Sequence, residues 1–338
     1  MPAGGQSVRV LIAIALVAAA CGRAPHASTS SIDAPHVSGV DAALDAALDA
    51  PHVDDPCFPS PHAGHVAYTC NGIVFDVEVP ASCPPTGCGV ILDVHGLTMS
   101  AAMADANDEL RARGAAAGFV VIQPNANPAP PQASWSTTDD PKLFDFLMRA
   151  VAVYGLDARR VHMTGFSQGG FMTWRFLCAH ADVLASVAPA AAASACAGGP
   201  ACSFTGAELP SRQLPVLYMH GRMDDNYVPY ATCAQQQVDA MVAAWGLADD
   251  GVIASSATYT RTRYANASGG RVEFLAHDYS SSAEVFGISK TRLDGHCYPG
   301  STDPGGQPGQ LFSFKCDQPA DFTWGIEVVA FFAAHPRG

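Results

Sequence analysis

The sequence predicts an α/β chain built on a mostly parallel central sheet with helices on both faces. Apolar runs without alternation, such as 89–94 and 215–220, are separated by segments of helical pattern. Strands covered on both faces read this way, because neither side meets water. With 338 residues and 49% hydrophobic content, the chain has the material for one large domain. Between one such strand and a helix stands Gly165-Phe166-Ser167-Gln168-Gly169, which fits the G-x-S-x-G turn.

In chain order, residues 1–21 read as an export signal. Arg9 gives a thin positive start, and the apolar run from Val10 to Ala20 is too short to span a membrane. Ala18-Ala19-Ala20 suits cleavage, while the following Cys21-Gly22 resembles a bacterial lipoprotein box, which makes Cys21 a candidate lipid-attachment residue. The expected location is therefore the cell envelope, through that lipid alone, or the medium. Residues 22–56 form a linker rich in Ala, Asp and Pro and without aromatics, which cannot bury enough to order itself. Residues 57–338 form the expected catalytic domain. Strands are expected over 72–79, 89–94, 118–123, 184–188 and 215–220, and helices over 101–117, 141–154 and 321–335. Residues 189–213 read as a long insertion beside the site.

The chain carries 18 Lys and Arg against 31 Asp and Glu, and no basic block, so a nucleic-acid partner is not expected. Eleven cysteines leave ten once Cys21 is set aside. An even set in an exported chain implies disulfides. Cys83 with Cys88 and Cys196 with Cys202 are the expected local pairs. The histidines His36, His52, His62 and His65 are loosely spaced and framed by no thiolate or carboxylate motif, so no metal site is expected.

A serine hydroxyl is a weak nucleophile and needs a base, which in turn needs an orienting carboxylate. Ser167 on the strand-to-helix turn is the candidate nucleophile. His296, in Gly295-His296-Cys297-Tyr298-Pro299-Gly300, is the candidate base, ahead of His180, His220 and His277. The acid lies after the 215–220 strand, where Asp224 and Asp225 are adjacent. Backbone N–H groups of Gln168 and Leu97, the latter following His95-Gly96, are the candidate oxyanion hole.

Taken in order, the His95-Gly96 strand end, the 157–170 segment, His220-Gly221 with Val228-Pro229-Tyr230, the 295–300 loop and Phe331-Phe332 resemble the secreted polyhydroxybutyrate depolymerase/feruloyl esterase group of α/β-hydrolases. The resemblance covers about residues 65–335. It implies an α/β-hydrolase fold, a Ser-Asp-His triad and cofactor-free hydrolysis of carboxylic esters, feruloyl or acyl-polysaccharide or hydroxyalkanoate. The group spaces H-G-x-x-D and D-x-x-V-P on one aspartate. Here the first pattern selects Asp224 and the second Asp225, and register from Val228-Pro229 favours Asp225. Tyr298 replaces the usual Trp. A monomer acting on a small or polymer-linked ester is the expectation. The alternatives are a peptidase or acyltransferase on the same scaffold, or a lipid-anchored binding module without activity.

Overall fold

The computed structural model describes residues 55–83, 87–196, 202–206 and 208–338. The expected signal, Cys21 and nearly all of the linker lie outside the described residues. Asp55, at the end of that linker, is already tied to the fold: its carboxylate takes the Cys57 N–H at 2.8 Å and Arg149 at 2.9 Å.

The chain runs through β1 (Gly64–Cys70), β2 (Ile73–Val79), β3 (Gly89–Val94), α1 (Ala101–Asp108), α2 (Leu110–Ala116), β4 (Phe119–Asn125) and α3 (Asp140–Val153). It continues with β5 (Val161–Phe166), α4 (Gln168–Ala179), β6 (Ser186–Ala190), β7 (Pro215–Gly221) and α5 (Gln235–Trp245). After α5 come β8 (Ala248–Ser255), β9 (Tyr259–Ala265), β10 (Arg271–His277), β11 (Ser281–Glu284), β12 (Arg292–Asp294) and α6 (Trp324–Ala334).

Among the described residues, ten strands form one sheet in the order β1-β2-β4-β3-β5-β6-β7-β10-β9-β8. From β4 to β10 neighbours are parallel, while the outer pairs at each edge are antiparallel. Strands β3 and β5 are buried along their whole length, as their unalternating sequences require. Successive side chains feed opposite faces. Val90 and Leu92 pack with α3, α4 and α5 residues such as Phe146, Trp174 and Met241, whereas Ile91 packs with Met103, Leu110 and Phe332 of α1, α2 and α6. This is the expected sheet with helices on both faces.

The fold places the site through strand order. From β3 the chain crosses to β4 on one side and returns to β5 on the other, so the carboxyl ends of β3 and β5 flank a topological switch point. Ligand sites of open α/β sheets form in the crevice at such points.

The expected helix over 101–117 is two helices. Glu109 adopts φ 57°, and the Asp108 carboxylate accepts the Leu110 N–H at 3.0 Å, starting α2 afresh. Among the described residues ten cysteines form five disulfides: Cys57–Cys70, Cys83–Cys88, Cys178–Cys202, Cys196–Cys233 and Cys297–Cys316. The Cys83–Cys88 expectation holds. The Cys196–Cys202 expectation does not, because the two cysteines staple the insertion outward, to the Tyr230–Ala234 turn and to α4 respectively.

Candidate active site

Ser167 sits between β5 and α4 at φ 53° and ψ −114°, a strained conformation for a residue with a side chain. The turn is tight because backbones meet there. A Cβ on Gly169 would lie 1.9 Å from Val94 O, and one on Gly165 would lie 2.6 Å from Gly169 C. Glycine at both positions is therefore a packing requirement. The result is a partly exposed serine held over the carboxyl end of the sheet. Gln168, the first residue of α4, has one of the unpartnered N–H groups of a helix start.

His296 lies on the loop after β12. Its ring stands 5.0 Å from Phe166, the residue before Ser167, and 4.8 Å from Tyr227. The His296 Nδ1–H donates to Asp224 Oδ2 at 2.7 Å, with both side chains buried. Asp224 Oδ1 accepts the N–H groups of Tyr227 and Val228, each at 3.2 Å. Burial alone would raise the Asp224 carboxyl, but the facing His296 and His220 rings and the Val228 N–H outweigh it and hold it below the ordinary value.

Of the two adjacent carboxylates, the structure brings the alternative, Asp224, and not the favoured Asp225 against His296. Asp225 is exposed to solvent, and its N–H donates to Met223 O at 3.1 Å. The β7 end, the Asp224 loop and the His296 loop are packed backbone to backbone. A Cβ on Gly221 would lie 2.2 Å from Gly295 O, and one on Gly295 would lie 2.5 Å from Asp224 N. That contact places residue 224 beside the histidine. The extra residue of the loop falls after Asp224, and the Val228 N–H reaches back across it to Asp224 Oδ1.

The other candidate histidines serve the fold. His180 caps α4 and stacks on Phe144 at 3.6 Å between ring centroids. His277 ends β10, buried behind β7. His220 does more than its strand-end position in the sequence suggests. Its Nε2–H donates to Val228 O at 2.7 Å, its Nδ1 accepts the Tyr218 hydroxyl at 3.2 Å, and Nε2 stands 3.7 Å from Asp224 Oδ2. Burial lowers it to about 4, so it holds the acid loop as a neutral ring.

After β3, His95 and Gly96 are buried and Leu97 is 47% exposed. A Cβ on Gly96 would lie 3.2 Å from Ser167 Cβ, so this turn runs directly against Ser167. Thus Ser167, Gln168 and the His95–Leu97 turn share one end of the sheet, with Phe166 linking Ser167 to the ring of His296. The loop between β4 and α3, which nothing in the sequence marked, joins this group through Ser134 and Trp135 bonded to Gln168.

The protein has the α/β-hydrolase fold. No protein-family profile matches the chain. It is 26% identical over 152 residues to the bifunctional acetylxylan esterase/xylanase XynS20E of Neocallimastix patriciarum, a match that covers 44% of this chain and 21% of that protein. The match therefore spans only about a fifth of that relative's length. Among solved structures, the acetyl xylan esterase from Aspergillus awamori superposes with a TM-score of 0.50 at 14% identity, over 60% of this chain and 87% of that one. A thermostable esterase gives a TM-score of 0.47 at 19% identity, over 71% and 59%.

Proposed function

We propose that the protein is an exported serine hydrolase of carboxylic esters, acting on O-acyl groups of polysaccharides and on acetyl esters foremost. The observation that carries the hydrolase reading is the 2.7 Å bond between Asp224 and His296 beside the Ser167 turn. In this reading Ser167 Oγ attacks the ester carbonyl while His296 Nε2 takes its proton. The tetrahedral oxyanion rests on the N–H groups of Gln168 and Leu97. Collapse expels the alcohol, which leaves with the proton from His296. Water then attacks the acyl-enzyme, His296 again removes a proton, and the carboxylic acid departs as Ser167 regains its hydrogen. Asp224 keeps the imidazole in the tautomer with Nε2 free and stabilises the imidazolium. Every group needed is a side chain or backbone amide of this chain.

The acetyl-ester preference draws on the names of the two acetylxylan esterases above. Export draws on the signal-like 1–21 segment and on the five disulfides, which persist in oxidising compartments. Lipidation of Cys21 belongs to the same proposal, and intact mass of the mature protein tests it.

A substrate panel tests the function: acetylated xylan oligomers, p-nitrophenyl acetate, methyl ferulate and hydroxybutyrate oligomers, with Ser167→Ala as the blank. Acetyl release with the highest kcat/KM, absent from the variant, is the expected outcome. Turnover of none of these esters, or equal turnover by Ser167→Ala, overturns the hydrolase reading. Faster feruloyl or hydroxybutyrate hydrolysis overturns only the acetyl preference.

A further inference from the structure

We propose that Trp135 is the positioning residue that locks together the two halves of the oxyanion hole, an inference that rests on the hydrolase reading above. Those halves lie on separate turns, Gln168 at the start of α4 and Leu97 after β3. Trp135 bonds to both. Its backbone N–H donates to Gln168 Oε1 at 2.8 Å, and Gln168 Nε2 donates back to Trp135 O at 3.1 Å and to Ser134 Oγ at 3.0 Å. Its indole Nε1–H donates to His95 O at 2.9 Å, two residues before Leu97.

The same loop holds the turn at further points on either side of Leu97. Thr98 N–H donates to Ala133 O at 2.8 Å, and Ala126 N–H donates to His95 Nε2 at 3.1 Å. With Nε2 accepting, His95 Nδ1–H donates to Gly96 O at 2.7 Å. Burial lowers His95 to about 4, which keeps this tautomer neutral across the working range. The Leu97 peptide is therefore fixed from His95 on one side and Thr98 on the other, and both anchors lead to the Trp135 segment. Trp135 is 6% exposed, so its indole bond to His95 O is sheltered from competing water, while its backbone bonds to Gln168 are partly buried.

The chemistry makes such a brace valuable. Oxyanion donors act because they are already aimed when charge develops, and a site loosened by a fraction of an ångström loses transition-state stabilisation first. Ground-state binding is affected less, so the signature is a fall in kcat at nearly constant KM.

Trp135→Phe deletes the indole N–H and keeps both the ring and the backbone bonds to Gln168. Since removing an oxyanion donor outright costs about 10²–10³ in kcat, loosening one should cost roughly tenfold, with KM within about twofold. Affinity for a trifluoromethyl ketone, which adds to the serine as an oxyanion, should fall by the same factor as kcat. A purely structural role would lower Tm without this matched loss. Gln168→Leu, which keeps its own N–H but breaks the other arm, guards against poor folding of the first variant. Its loss should be similar in kind and not additive with Trp135→Phe. An active wild-type enzyme whose two variants retain kcat and inhibitor affinity within twofold overturns the proposal alone. A wild-type protein that neither turns over esters nor reacts with a fluorophosphonate at Ser167 overturns the hydrolase reading and this inference with it.

Discussion

Asp224 Oδ2 meets His296 Nδ1 at 2.7 Å, while the adjacent Asp225 faces solvent. Consecutive residues leave a loop in different directions, so one carboxylate is buried against His296 and the other is not. Asp224→Asn should reduce kcat on an activated ester by about 10⁴, the cost of losing the orienting carboxylate in the serine-protease precedent. Asp225→Asn should stay within about tenfold. A crippled Asp225→Asn beside a healthy Asp224→Asn would mean the loop rearranges in the working enzyme.

The turn around Ser167 tolerates no side chain at position 169. A Cβ there would stand 1.9 Å from Val94 O, and neither backbone can retreat, since both belong to buried elements. Gly169→Ala should lose at least about 3 kcal/mol or fail to yield soluble protein, as overpacking against backbone does at its most severe. Chemical denaturation measures it, and a stable, active variant would contradict the packing described.

The His296 loop is pinned immediately after that residue by Cys297–Cys316, and the two segments so joined form an isolated bridge with Tyr298 N–H to Phe314 O at 2.8 Å and Cys316 N–H to Tyr298 O at 3.1 Å. The double variant Cys297→Ala/Cys316→Ala should lose about 3 kcal/mol of stability, from the denatured-chain freedom it regains. It should also lose kcat, because the residue just before Cys297 is the proposed base, His296. Urea unfolding and ester turnover on the same preparation test the two effects. Unchanged turnover would show that Phe166 and Asp224 hold the imidazole unaided.

Stability should rise with pH between about 4 and 6.5. Burial lowers His95 and His220 to about 4 and His162 and His277 to about 3, against 6.5 in an unfolded chain. In that window the unfolded state binds their protons and the folded state does not, so acidification favours unfolding. Burial acts the other way on Asp93, pushed up to about 7, so that its folded form holds a proton through most of this window, and it also raises Asp108 well above its usual value. Four histidines outweigh two carboxyls. Tm should therefore fall as pH drops from 6.5 to 4. Asp93→Asn should stabilise relative to wild type at pH 8, with the difference shrinking toward pH 4. A Tm flat across the window would refute this balance.

Much of this was legible in the sequence for definite reasons. The parallel strands were continuous apolar runs, and the Ser167 turn, His296 and the His95-Gly96 strand end were short motifs whose glycines record backbone contact. The order of the two aspartates was not legible. A register read from Val228-Pro229 assumes a fixed loop length, and the structure closes a longer loop through His220 to Val228 O. The break at Glu109 was hidden, because its cause is the Asp108 side chain taking the Leu110 N–H. Strand β8 was hidden too, being an exposed edge with no alternation. Trp135 carried no motif at all, since its bonds to His95 and Gln168 join segments remote in the chain.

In the proposed mechanism Ser167 carries the acyl group. Rapid-quench mass spectrometry of the protein mixed with p-nitrophenyl acetate tests it most directly. One acetyl group is expected on the peptide containing Ser167, formed in step with a burst of p-nitrophenol, with neither acetyl nor burst in Ser167→Ala. An acetyl group on another residue, or full turnover by Ser167→Ala, would contradict it.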